Sequence, residues 1–227
     1  GVPSDDTVGA AQIKADLISG TTALAAEPAD TDEFLVSDAG VLKRIDYSLI
    51  KGGGSLVKLA STTLSSASAG IAFNSTYINS TYDNYYVTVA GIMPATSNAD
   101  VGLYLSVDNG SNFATHLSGN HYLQLNGTGN GWQHSQNAHY FVHDSYGTAG
   151  ELKINGYALI MNTNDTTAYK SIYGRGMTRN HGTNANDYAY STYTSFASTT
   201  AVNYIIVKAN SGNLQGFGTV TLYGVEK

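Results

Sequence analysis

The chain has 227 residues, enough for one sizeable domain with smaller attachments, and 42% are hydrophobic, enough for a packed core. It has no cysteine, which excludes disulfides, thiol catalysis and cysteine-ligated zinc. A formal charge of −6 with no basic stripe argues against nucleic acid, whose binding needs cations to displace counterions. No run approaches the roughly 20 apolar residues of a membrane helix, and no charged-then-apolar leader is visible. The first residue is Gly rather than Met, which implies processing or truncation upstream.

Charge and composition are uneven along the chain. Residues 1–54 hold nine acids and four bases; residues 55–227 hold eight acids and seven bases, all the asparagines and 16 of the 17 tyrosines. The second part is therefore polar without being charged, and must make its contacts with amide, hydroxyl and aromatic groups. Three consecutive glycines, Gly52, Gly53 and Gly54, oppose any regular element and mark the boundary.

Residues 5–19 predict a short helix. Asp5 and Asp6 favour its N-terminus and Gly20 its C-terminal cap. Val8, Ala11, Ala15 and Ile18 follow the 3-4-3 spacing of a seam between helices. Two heptads are too few to hold a coiled coil alone and Gly9 weakens the helix. The segment is either an amphipathic helix packed on its own domain or part of a trimeric seam. Phe34-Leu35-Val36 and Val41-Leu42 then flank Ser37-Asp38-Ala39-Gly40, the pattern of a β-hairpin. Such a hairpin is too small to bury itself, so Phe34, Val36 and Leu42 are candidate oligomerisation residues beside those of the helix. Tyr47 to Ile50 allow one helical turn before the glycines. The predicted organisation is an oligomerising helix over 1–20, a hairpin connector and Gly-rich linker over 21–54, and a head over 55–227.

The head reads as nearly all β. Val101, Leu103, Leu105 and Val107 alternate onto one face before a turn at Asp108-Asn109-Gly110. Similar runs lie at 56–64, 85–92, 121–125, 139–143, 152–160, 170–177, 188–196, 204–208 and 219–225. About ten short strands with no helical pattern between them predict an antiparallel β-sandwich of jelly-roll type. Pro94 falls between strands, where its missing N–H costs nothing.

Few of the chemical constellations are specific. His121, His134, His139 and His143 cluster in sequence, but Asp144 is the only nearby acid to complete a metal site. These histidines are read as surface or subunit-contact residues. The segments 108–112 and 162–166 are rich in oxygen, yet each has one carboxylate where calcium wants six to eight oxygen ligands; turn chemistry accounts for both. Paired carboxylates for glycoside cleavage must converge from separate places, and no local motif points to a pair among the head's eight acids. No nucleophile elbow or phosphate loop is present. No catalytic residue, metal or cofactor is expected.

The binding signal is aromatic. Residues 126–134 carry the only tryptophan, Trp132, in a Gly-rich loop with Asn130 and His134. Tyr146, Tyr169, Arg179 and His181 lie in similarly polar stretches. Flat rings with polar edges suit stacking against sugars, and Arg175 and Arg179 suit an acidic sugar. Trp132 serves equally as a plug at the end of the sandwich or as a trimer contact. Tyr188, Tyr190 and Phe196 share parity on one strand, the pattern of core or interface.

The segment from Ala29 through Asp30, Phe34 and Asp38 to Gly40, followed by Leu42-Lys43-Arg44-Ile45, resembles a connector met in phage tail-fibre and other virion-fibre proteins. The preceding Val8, Ala11 and Ile13-Lys14-Ala15 are similar to their short trimerising segments. Leu59-Ala60-Ser61-Thr62, Ser80 to Tyr85 and the closing Gly218 to Gly224 resemble a β-rich virion domain of phages of aquatic bacteria. The resemblance implies a homotrimeric fibre or spike on the head or tail of a virion, assembled in the host cytoplasm. Its expected partners are its own copies, other virion proteins through the N-terminal region, and a host-surface polysaccharide or receptor, with no nucleic acid and no membrane insertion. The alternatives are a capsid decoration or cement protein, a glycan-cleaving depolymerase, and a cellular carbohydrate-binding module.

Overall fold

The computed structural model describes residues 20–51, 55–113, 117–124, 130–133, 138–142, 153–179 and 187–226, with backbone alone for 117–124, 130–133, 179, 187 and 188. The expected helix at 5–19, with Val8, Ala11, Ala15 and Ile18, lies outside the described residues. The chain divides into two compact units, Gly1–Gly53 and Gly54–Lys227.

In the first unit, β1 (Glu33–Asp38) and β2 (Val41–Asp46) form an antiparallel hairpin with Asp38 opposite Val41. The two-residue loop has Ala39 at φ 50° and Gly40 at φ 87°. Two positive φ values give the turn whose twist matches that of the strands, and Gly adopts one of them without strain. Register sets Phe34 against Ile45 and Val36 against Lys43 on one face. Leu42 opposes Ser37 on the other face, beside the Leu35–Arg44 pair. The three expected contact residues are thus split, with Phe34 and Val36 on one side and Leu42 on the other. Neither face is sheltered: Val41, on the side of Phe34 and Val36, is 58% exposed, and Leu42, on the other, 69%. A single helical turn, α1 (Tyr47–Ile50), follows and buries nothing. Arg44–Glu33 at 2.8 Å, Lys51–Asp30 at 2.5 Å and Lys43–Asp38 are exposed ion pairs, which contribute little to stability.

The second unit is mainly β and antiparallel. Its strands are β3 (Leu56–Thr63), β4 (Ile71–Phe73), β5 (Asn84–Ile92), β6 (Val101–Ser106), β7 (Leu117–Gln124), β8 (Asn130–Gln133), β9 (His139–Val142), β10 (Ile154–Met161), β11 (Lys170–Arg179), β12 (Asp187–Phe196), β13 (Tyr204–Ala209) and β14 (Thr219–Val225). Two depart from expectation. β4 has three residues, too few for alternation to register. β8 falls where the composition predicts a Gly-rich loop; its backbone pairs with β7, with Trp132 opposite His121 and Asn130 opposite Leu123. Partner hydrogen bonds override the weak strand preference of Asn and Gly there.

One sheet has eight strands in the order β3-β14-β5-β10-β11-β12-β7-β8, and the other four, β4-β13-β6-β9. Strands β3, β4, β5 and β6 pair in turn with β14, β13, β10 and β9. The remaining strands, β11, β12, β7 and β8, extend the larger sheet beyond β10. Period-2 alternation gives the strands with described side chains an apolar face, and these faces share one core. Phe73, Leu103, Phe141 and Ile205 enter it from the smaller sheet; Tyr85, Ile154, Phe196 and Leu222 enter from the larger. β6 is buried on both sides. Its outer Tyr104 packs with Ala138 and Tyr140, and Lys208 Nζ lies 4.5 Å from the ring centres of both Tyr104 and Phe113, a cation over aromatic faces.

Glycines on the inner face of β11 let β9 approach closely. A Cβ on Gly176 would stand 2.0 Å from the Phe141 carbonyl oxygen, and one on Gly174 would stand 2.6 Å from His139 Nε2. Strand glycines commonly mark such an approach of another backbone. The expectation of a surface or contact role for His139 is corrected here. Its side chain is fully buried, with Nδ1 3.0 Å from Thr194 Oγ1 and Nε2 2.9 Å from Thr192 Oγ1. Desolvation lowers its pKa from 6.5 to about 3, so the ring is neutral. Sequence neighbours do not reveal this burial, because the cover comes from β11 and β12.

Candidate functional site

The outer face of the eight-stranded sheet carries the second set of alternating residues. Cross-strand register arranges them in rows. One row runs Ser61, Thr221, Thr88, Tyr157, Arg175 and Ser191. The adjacent row runs Lys58, Tyr223, Tyr86, Leu159, Tyr173 and Tyr193. Residues paired across strands share a face and reach their diagonal neighbours, so tyrosines far apart in sequence become adjacent. The Tyr86 and Tyr157 ring centroids are 5.5 Å apart, and those of Tyr86 and Tyr223 are 6.2 Å apart.

A groove of about 520 Å³ opens on this face, lined by Tyr86, Thr88, Asn155, Tyr157, Arg175, Met177 and Ser191 over a floor that includes Gly156 and Gly176. That volume suits a small ligand or a few sugar rings. A register shift between Ile154 and Gly156 bends β10 against β5. Asn155 Oδ1 accepts the Gly91 N–H at 2.9 Å there, which satisfies a donor beside the bulge and fixes one wall.

The groove's polar groups are held by one another. Ser191 Oγ donates to the Tyr173 hydroxyl at 3.4 Å. Hydrogen bonds from Ser191 and then Arg175, with the guanidinium charge, lower the Tyr173 pKa, while the same Tyr173 bond raises that of Arg175. Burial, followed by its neighbours Tyr157 and Tyr223, pushes Tyr86 upward. Hydrogen bonds from Ser171 and Ser195 pull Tyr193 down. The surface therefore offers ring faces, hydroxyls, an amide and a guanidinium on a rigid sheet. Its lining includes no carboxylate among the described residues.

The residues expected from sequence are distributed as follows. Backbone register carries the Arg175 row on through Ser191 and Leu123 to Asn130, and the Tyr193 row through His121 to Trp132. Arg179 ends β11, two positions beyond Met177 and opposite Asp187. His134, Tyr146 and His181 lie outside the described residues. Tyr190 and Phe196 are buried in the core. Sequence reasoning singled out Arg175 but missed Tyr86, Tyr157, Tyr173 and Tyr223. The available signal was parity: in β11, Tyr173, Arg175 and Met177 alternate with Ile172, Gly174 and Gly176.

The two oxygen-rich loops are turns. Asp108 Oδ1 accepts from Ser106 Oγ at 2.6 Å and Asn112 N at 2.9 Å, and the Ser106 bond, followed by those of Asn112, lowers its pKa to about 2. Asp165 Oδ1 accepts from the Thr167 and Ala168 backbones at 2.6 and 2.9 Å. Among the described residues no group of three His, Cys, Asp or Glu side chains could hold a metal ion, and no helix is long and apolar enough to cross a membrane. Comparison with protein-family models, curated proteins and solved structures found no match to the chain.

Proposed function

We propose that this chain is a structural appendage protein of a bacterial virus, a homotrimeric fibre or spike on the head or tail of the virion. Residues 1–54 form its oligomerising stalk, and its head binds host-surface glycans. The head is a jelly-roll sandwich, a reading supported by the reverse-order pairing of β3 to β6 with β9 to β14. The observation that carries the binding function is the outward tyrosine groove around Tyr86, Tyr157 and Arg175. Aromatic rings on a rigid sheet bind at low entropic cost, and several copies on one particle multiply weak contacts. The described lining of hydroxyls, an amide and a guanidinium supports binding rather than cleavage, since glycoside cleavage needs two convergent carboxylates.

The stalk rests on the exposed apolar residues of both hairpin faces, Leu35 and Val41 among them. Three copies together bury what one cannot. Sedimentation equilibrium of the full chain tests this part, with a trimer expected and dissociation expected for the Leu35→Ser, Leu42→Ser double variant. A monomeric wild type, or an undisturbed trimer in the variant, removes the hairpin from assembly. Glycan-array binding by the full chain tests the head: Tyr157→Ala should fold and bind more than tenfold more weakly. Unchanged binding by that variant refutes the groove.

A further inference from the structure

On that reading of the groove, we infer that its ligand is an acidic saccharide bearing a carboxylate, with Tyr157 and Tyr86 stacking a sugar ring and Arg175 holding the acid. The chain is acidic overall, at −6, yet its outer sheet face inverts that sign. Among face residues with described side chains, the charged ones are Lys58 and Arg175, both cations. Arg175 is exposed, and no carboxylate lies within ion-pair distance of it among the described residues. Its guanidinium interacts with the Tyr173 hydroxyl, and the side chain lines the groove. A planar guanidinium favours a planar carboxylate, bound through two parallel hydrogen bonds.

The register supplies the spacing. Arg175 lies directly opposite Tyr157 on β10 and Ser191 on β12, so the two residues sit on neighbouring strands whose backbones are about 4.8 Å apart. One sugar unit can therefore stack on Tyr157 and present its carboxylate to Arg175. The row from Thr88 to Ser191 crosses three strand spacings, about 14 Å in all, so the next units meet the Thr88 and Ser191 hydroxyls. The same chemistry is offered by a uronic acid and by a sialic-type sugar.

The test uses the full chain and immobilised polyuronates and polysialate, each beside its carboxyl-reduced form, with dextran sulfate as a purely ionic control. Wild type is expected to bind at least one carboxylated polymer more than tenfold better than its reduced form, and better than dextran sulfate. Arg175→Gln, an exposed substitution whose melting curve should match wild type, is expected to lose that tenfold and to stop distinguishing acid from reduced polymer. Equal binding of acid and reduced forms by wild type overturns the acidic ligand while leaving a ring-binding groove in place. Binding that follows dextran sulfate, no binding to any polymer, or an Arg175→Gln protein that still discriminates also overturns it. Loss of self-association in Arg175→Gln with no sugar binding by wild type would reassign the face to contacts between copies.

Discussion

His139 should begin to destabilise the head as pH falls below 6.5, before the carboxylates titrate. In the folded chain the imidazole is sealed between Thr192 and Thr194, and burial lowers its pKa from 6.5 to about 3. The unfolded chain binds the proton at the ordinary value. Between these limits the unfolded state holds one more proton, so stability rises with pH and falls as pH drops from 6.5 towards 3. Each pH unit inside the window costs about 1.4 kcal/mol, and the drop from pH 6 to 4.5 costs about 2 kcal/mol. Asp108 does not interfere, because its stabilisation is lost only as pH falls through 3.8 towards about 2. Urea denaturation followed by tyrosine fluorescence at pH 7.5, 6.0, 5.25 and 4.5 measures the slope. His139→Gln should be less stable by a constant packing cost while losing the slope between pH 6 and 4.5. A flat wild-type profile in that window, or the same slope in both proteins, would refute a buried neutral imidazole.

Two further substitutions probe the packing around the sheet. Gly176→Ala should destabilise the head by about 1–3 kcal/mol in urea, because its Cβ would meet the Phe141 carbonyl oxygen at 2.0 Å; wild-type stability would show that β9 does not cross there. Lys170 is fully buried, with Nζ donating to the Asp165 carbonyl at 2.6 Å. Lys170→Ala should cost about 2–4 kcal/mol through a cavity and an orphaned carbonyl, and Lys170→Met should recover part of it by keeping the stem packed; equal loss in both would place the whole effect on the ammonium.

Most strands were legible because their alternation is local. The run at 219–225 coincides with β14, and the shared parity of Tyr190 and Phe196 pointed to core or interface; both are in the core. β4 was too short to alternate, and β8 is made of residues that are strand-like only when a partner pairs them. His139 was misplaced because its cover comes from strands more than thirty residues later. The groove was the least legible feature. Tyr86, Tyr157, Tyr173 and Tyr223 lie on four strands, β5, β10, β11 and β14, and the sheet order that joins them is a tertiary fact. In the sequence, a tyrosine on a strand reads as core, so the aromatic signal was assigned to the loops. Arg175 was named because a cation is scarce in this chain wherever it sits.

The two faces of β11 are physically coupled. Inward, Gly176 has no side chain, so the β9 backbone at Phe141 can lie directly against it, and Gly174 leaves room for the His139 ring. Outward, the residues between and beside them, Tyr173, Arg175 and Met177, project from a strand held by that contact. Gly156 sits opposite Gly176, so the groove floor is backbone resting on the core rather than a layer of mobile side chains. On the proposed binding role, such a surface needs no loop to order when a ligand arrives, because most of the ordering cost was met when the protein folded. The glycines that look like weak points in the strand are what bring the core close enough to hold the tyrosines and the arginine still.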